Sequence, residues 1–247
     1  MTITSHADLA GLRRIGQLVG QAIREMRIAA RAGMTTAALD AVGERFLRRQ
    51  GARSAPQLTY GFPGFTCISV NEQVVHGVPG PRVLQPGDVV KIDVSAELDG
   101  LIADAAVTVV IPPASTAARR LEECASSAFE RALRVARAGT AVAEVGRAVE
   151  REVRRRGFSV LEQLCGHGVG RHLHEDPSVP NYYSPLTPGT LSDGLVIAVE
   201  PLISASRTTV VDESDGWTVR TRNRSLAAHC EHTVVITRDT PLVLTAA

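Results

Sequence analysis

A segment of this chain occurs twice, and that repetition limits how the chain can fold. Arg31 to Gly51 reads R-A-G-M-T-T-A-A-L-D-A-V-G-E-R-F-L-R-R-Q-G. It is matched 106 residues later by Arg137 to Gly157, R-A-G-T-A-V-A-E-V-G-R-A-V-E-R-E-V-R-R-R-G. Identity is modest, but both copies keep the flanking glycines and the helical spacing of apolar residues between them. The same offset applied to Asp93, in P-G-D-V-V-K-I-D-V, lands one residue before Glu200, in S-D-G-L-V-I-A-V-E-P. Two halves too small to stack as a solenoid, each ending a strand in a carboxylate, should pack about a pseudo-twofold axis. Asp93 and Glu200 would then meet at a site between the halves. The expectation is an α+β chain forming a single domain, residues 1–247, of two helix-helix-sheet halves at about 7–111 and 116–238.

Gly87 to Val110 carries the next constraint. Two apolar, β-branched runs flank Asp99-Gly100, a dipeptide that signals a tight hairpin. Side chains alternate faces along a strand, so an even-residue turn without a bulge puts Asp93 and Asp104 on one face, opposite or diagonal, roughly 5 to 8 Å apart. Two carboxylates among Ile92, Val94 and Ala105 are costly to bury without a counter-charge, and a divalent cation would supply one. The hairpin alone leaves open a water-facing position for both.

Around this centre the chain reads as helices and short strands. Apolar residues from Leu9 to Ile28 recur at helical spacing over about Ala7 to Ala32, and Gly33 closes that helix. Thr35 or Thr36 caps a second helix running through Arg48 or Arg49, with Gly51 beyond its end. Cys67 to Val70 reads as a strand followed by a loop with His76. Further helices are expected at about Thr116 to Ala138 and Val142 to Arg156.

Length, a net charge of +1 and 44% hydrophobic content suit one globular unit and give no reason to invoke nucleic acid. No run approaches the roughly 18 apolar residues of a membrane span, and MTITSHADLA lacks the basic and apolar regions of a signal peptide. Cys67, Cys124, Cys165 and Cys230 include no C-x-x-C pair and read as reduced thiols. The chain is therefore expected in the cytoplasm.

More candidate ligands lie downstream. C-G-H-G-V-G-R-H-L-H-E-D-P, Cys165 to Pro177, places His167 between glycines, which allow backbone conformations closed to other residues. Glu231 sits beside an alternating β run in H-C-E-H-T-V-V-I-T. Asp93, Asp104, Glu200, Glu231 and His167 together offer four carboxylates and one imidazole. Their charge balances two divalent ions, and mostly oxygen donors with one nitrogen suit cobalt, manganese, iron or zinc.

These motifs, together with N-E-Q-V-V-H-G-V-P around His76, G-H-G-V-G-R-H-L-H-E-D-P with His174, V-E-P at Glu200 and E-H-T at Glu231, resemble type I methionine aminopeptidase over nearly the whole chain. The resemblance implies a pita-bread fold with a central dinuclear metal site. It implies that Asp93 chelates one ion, Asp104 and Glu231 bridge both, and His167 and Glu200 complete the other. His76 and His174 are implied as substrate contacts, and Phe62, Cys67 and Trp217 as the lining of a methionine pocket. The implied activity is removal of N-terminal methionine from nascent polypeptides when the second residue is small, by attack of a metal-activated hydroxide. Glu200 would transfer the proton, His174 would stabilise the oxyanion and His76 would hold the scissile amide. A monomer with at most transient ribosome contact is expected. The short interval from His174 to Glu200 lacks the helical insertion of type II enzymes, and no zinc-binding extension precedes Ala7.

Three positions depart from the family pattern. His172 stands where glycine is common, His229-Cys230 where glutamine and an aromatic residue are frequent, and Pro56 where cysteine is frequent. His172 reads as a solvent-facing loop residue, His6 and His229 as incidental, and His232 as facing away from Glu231. A prolidase or aminopeptidase P type of enzyme would share the five ligands but carries an additional N-terminal domain. A binding protein that has lost its metals is the other alternative, and the intact ligand set argues against it.

Overall fold

The computed structural model describes residues 1–246. The repeat becomes two helix pairs. In the first, α1 spans His6–Ala29 and α2 spans Thr36–Arg49, and a short α3, Ala55–Tyr60, follows. In the second, α4 spans Thr116–Val135 and α5 spans Val142–Arg155. Side-chain oxygens cap four of these helices: Ser5 accepts from the Asp8 amide, Thr35 from Ala38, Ser54 from Gln57 and Ser115 from Ala118. Of the two threonines expected to cap the second helix, Thr35 does so.

The repeat's glycines do equivalent work in both halves. Gly33 and Gly139 have φ of 84° and 91°, and Gly51 and Gly157 have 78° and 83°, a left-handed region that suits glycine. Gly33 donates to the Leu84 carbonyl as Gly139 does to Leu191. Thr35 bridges to Val83 as Ala141 does to Thr190.

A nine-stranded sheet joins the halves. Its order is Arg53–Ser54, Val89–Leu98, Leu101–Val110, Glu231–Val235, Val196–Val199, Cys165–Gly168, Glu175–Pro180. Cys67–Val70 pairs additionally with Val89–Leu98, and Leu242–Val243 with Glu231–Val235. All of its pairings are antiparallel. α1 and α2 pack with the first-half strands around Leu12, Ile15, Leu47, Ile68 and Ile92. α4 and α5 pack with the second-half strands around Leu121, Val149, Ile197 and Val234. The halves meet where Leu101–Val110 pairs with Glu231–Val235.

The hairpin turns at Asp99-Gly100 with φ of 54° and 79°, the two positive values that a two-residue turn of this hand needs. Its register runs unbroken from Leu98 opposite Leu101 to Val89 opposite Val110, so Asp93 faces Ala106 and Asp104 faces Ser95. The two aspartates are therefore diagonal neighbours on one face. Two small sheets lie apart from this one: Ala227–His229 with Leu202–Ser204 and Ser159–Val160, and Val210–Asp212 with Val219–Thr221 and Gln73–Val75. No described helix is long and apolar enough to cross a membrane.

Candidate metal centre

Strand register places the candidate ligands in two adjacent rows across the sheet. In the first row Cys67 faces Asp93, Asp93 faces Ala106 and Ala106 faces Glu231. Glu200 follows Val199, the partner of His232, and so falls beside Glu231. In the second row Ser95 faces Asp104, and Ala198 lies between Thr233 and His167. Thr233 Oγ1 links Asp104 to this row, accepting from the Asp104 amide at 2.8 Å and donating to its carbonyl at 2.8 Å. Residues on successive same-face rows share one side of a pleated sheet, so all five candidates project into one cavity.

The glycines around His167 serve close approach. A Cβ on Gly166 would stand 2.4 Å from the Ala198 carbonyl oxygen, and one on Gly168 2.2 Å from that of Asp176. Only Gly170, of the three, has a φ in the left-handed range, at 146°. The packing lets His167 approach, with Nε2 3.4 Å from Glu200 Oε1 and 4.0 Å from Asp104 Oδ2. Its Nδ1 lies 2.9 Å from the Gly168 carbonyl, which fixes the proton there and leaves Nε2 as a lone-pair donor.

The donor set is short of positive charge. Asp104, Glu200 and Glu231 are buried, Asp93 is half-buried, and among the described residues no lysine or arginine pairs with any of them. Burial, then repulsion from neighbouring carboxylates, pushes Asp93, Glu200 and Glu231 well above the usual carboxylate range. Asp104 rises for the same first reason, opposed by a 2.7 Å hydrogen bond from Ser95. Burial lowers His167 and so keeps it neutral. Crowded buried carboxylates with neutral imidazoles suit divalent first-row cations, which replace the missing positive charge.

The remaining candidates line the same cavity of about 400 Å³. His76 has φ 56°, an uncommon conformation for a residue with a side chain. The turn is held by Gly77, which accepts from the Ile68 amide at 2.8 Å and donates to Ser69 Oγ at 2.9 Å. The His174 ring packs tilted against that of His167, centroids 4.2 Å apart, and its Nδ1 lies 2.6 Å from the Tyr60 hydroxyl. Burial lowers the pKa of both His76 and His174. Phe62 and Trp217 meet edge to face at 5.3 Å, beside the buried Cys67 thiol, whose pKa burial raises well above its usual value.

The structure corrects the reading of His229 and supports those of His172 and His232. His229 is 2% exposed and lines the cavity, with Nε2 3.6 Å from both Glu200 Oε2 and Glu231 Oε2. Burial pulls its pKa down to about 3. His172 is exposed, and His232 turns away to pack at a tilt against Phe129. Ser95 and Thr233 went unread as supports of Asp104, although each lies two residues from a candidate ligand and so on the same face. Tyr60 left no periodic signal that would tie it to His174.

Fold and site together define a metallopeptidase, and the chain belongs to metallopeptidase family M24, whose profile matches residues 10–238. The halves and their sheet form that family's pita-bread fold. The chain is 44% identical over 247 residues to methionine aminopeptidase 2 of Bacillus subtilis, with 99% of each chain aligned. Among solved structures, the methionine aminopeptidase of Thermotoga maritima matches 100% of both chains with a TM-score of 0.96 and 34% identity. The prolidase of Pyrococcus furiosus shares the fold, with a TM-score of 0.81 at 21% identity over 66% of its own length.

Proposed function

We propose that this chain is a methionyl aminopeptidase that removes N-terminal methionine when the second residue is small. The observation that carries the reading is one cavity that joins Asp93, Asp104, His167, Glu200 and Glu231 to an apolar recess of Phe62, Cys67 and Trp217. An aromatic pair beside a small neutral thiol suits an unbranched thioether, because sulfur gains roughly 0.3 to 1.5 kcal/mol against an aromatic ring. Full-length relatives that bear the methionine aminopeptidase name support the same assignment over the proline-directed one.

The donor set suits two divalent ions, of cobalt, manganese, iron or zinc. Asp93 would hold one, Asp104 and Glu231 would be shared, and His167 with Glu200 would hold the other. Bound there, such ions lower the pKa of water and polarise a peptide carbonyl. Glu200 carries the proton to the leaving amine nitrogen. With the Tyr60 hydroxyl, 2.6 Å away, as donor to Nδ1, His174 would keep its proton on Nε2 and donate from there to the developing oxyanion. His76, held by its turn, contacts the scissile amide nitrogen. Nascent polypeptides in the cytoplasm are the substrates on this reading, with the protein monomeric and ribosome contact at most transient.

Rates of hydrolysis of Met-Ala-Ser, Leu-Ala-Ser, Met-Lys-Ser and Ala-Pro-Ser by the metal-reconstituted protein test the assignment. Met-Ala-Ser should have the highest kcat/KM. A preference for Ala-Pro-Ser would transfer the chain to the proline-directed class, and equal cleavage of Met-Lys-Ser would refute a small second pocket.

A further inference from the structure

Among the imidazoles that line the cavity, His229 has no part in the chemistry above, yet it is the most deeply placed. Neither ring nitrogen has a hydrogen-bond partner among the described residues. A buried polar group without a partner is costly, so its retention points to a ligand that the ring meets. The main chain holds the ring in place: the His229 amide donates to Thr108 Oγ1 at 2.9 Å, and that hydroxyl donates back to the His229 carbonyl at 2.8 Å.

The distances favour shared coordination over a hydrogen bond. Nε2 stands 3.6 Å from Glu200 Oε2 and 3.6 Å from Glu231 Oε2, beyond hydrogen-bond range for both. Donors that share one small cation at about 2.0 to 2.1 Å lie roughly 3 to 3.4 Å apart. His167 stands in the same relation to the other Glu200 oxygen, at 3.4 Å. Glu200 thus lies between two imidazoles, one on each oxygen.

We propose that His229 is a metal ligand of this chain, adding a second imidazole nitrogen to the cation held by Glu200 and Glu231. The inference rests on the reading of the cavity as a divalent-ion site. A nitrogen donor in place of oxygen shifts preference from manganese toward cobalt and zinc. The alternative is a positioning role, in which Nε2–H orients the carboxylates, and a glutamine would preserve that donor.

Cobalt(II) separates the two. Metal-stripped full-length protein, its His229→Gln and its His229→Ala variants are titrated with cobalt and with manganese by calorimetry. Coordinated imidazoles are counted from the strongly shifted exchangeable ring N–H resonances in the proton spectrum. Wild type should show two such resonances and His229→Gln one, with cobalt affinity weakened by about tenfold or more and manganese affinity changed less. An unchanged count and affinity in His229→Gln would assign the positioning role and overturn the proposal. A single resonance in wild type would overturn it while leaving the metal site standing, and no cobalt binding at all would overturn both. The wild-type count decides the question without either variant, should they misfold.

Discussion

On the proposed reading, catalytic geometry in this site hangs on single atoms, and the Tyr60 hydroxyl is one of them. Its 2.6 Å contact with His174 Nδ1 would leave Nε2 to face the substrate. Burial raises the phenol's pKa, so it stays a donor at neutral pH. His174→Ala should lower kcat by about 10²-fold with metal content intact, because the lost donor acts on charge formed in the transition state. Tyr60→Phe leaves the ring but frees its tautomer, so kcat should fall by about tenfold with KM nearly unchanged. Steady-state kinetics with metal analysis measure both, and loss of metal from His174→Ala would make that residue a ligand instead. Asp104→Asn should differ in kind, losing metal and activity together. Only part of this is legible in a sequence. Ser95 and Thr233 sit at period-two distance from Asp93 and Glu231, whereas Tyr60 and His174 are joined by a contact between a short helix and a distant loop, which no local pattern encodes.

At the level of elements, long periodic segments were readable and short ones were not. α1, α2, α4 and α5 fall where apolar spacing puts them, because each buries one continuous stripe against the sheet, although α1 ends at Ala29 with Ala30 as its C-cap, short of the Gly33 stop. α3 has six residues, too few to show a period, and the strands between Leu202 and Thr221 have only three each. They depend on pairing with distant partners such as Gln73–Val75. The α4–α5 pair is fastened by Glu152, whose carboxylate accepts from Ser127 at 2.7 Å, Arg155 at 2.7 Å and 2.9 Å, and Arg156 at 2.6 Å. The Arg155 hydrogen bonds lead in holding its pKa well below the usual range, against burial. A depressed carboxylate stabilises the fold above its unfolded pKa of about 4.3, and that contribution is lost as pH falls through the folded value. Glu152→Gln should therefore cost about 1 to 3 kcal/mol at pH 7, toward the low end because Arg155 is largely exposed to solvent. The deficit should shrink as pH falls below about 4, where the unfolded chain takes up a proton that the folded carboxylate still refuses. Urea denaturation of both proteins at the two pH values checks this, and a pH-independent deficit would show that packing dominates.

Across the whole molecule, the repeat foretold that two halves would bring Asp93 and Glu200 together, since equivalent strands related by a twofold converge at their shared edge. It could not foretell that the join would be the pairing of Leu101–Val110 with Glu231–Val235, which depends on register between strands more than a hundred residues apart. That join concentrates negative charge, so folding and ion binding are linked. In the metal-free protein, raised pKa values let Asp93, Glu200 and Glu231 hold protons that the unfolded chain releases near pH 4. Stability of the empty fold should thus decline as pH rises from about 4 through those raised values. The buried imidazoles act oppositely, but only below their ordinary pKa of about 6.5; at pH 7 and above they are neutral in both states. A divalent ion must displace whatever protons the carboxylates hold, so binding should release protons and weaken as pH falls. Each ion bound at 100 times its Kd should stabilise the fold by about 2.7 kcal/mol, a Tm gain of about 5 to 10 °C per ion for a chain of this size. Calorimetric titration with cobalt in buffers of different ionisation enthalpy gives the proton count, and thermal melts with and without chelator give the Tm shift. Binding heats independent of buffer at pH 6 and 8 would mean that the carboxylates are already ionised in the empty site, and the linkage between folding, protons and metal would fail.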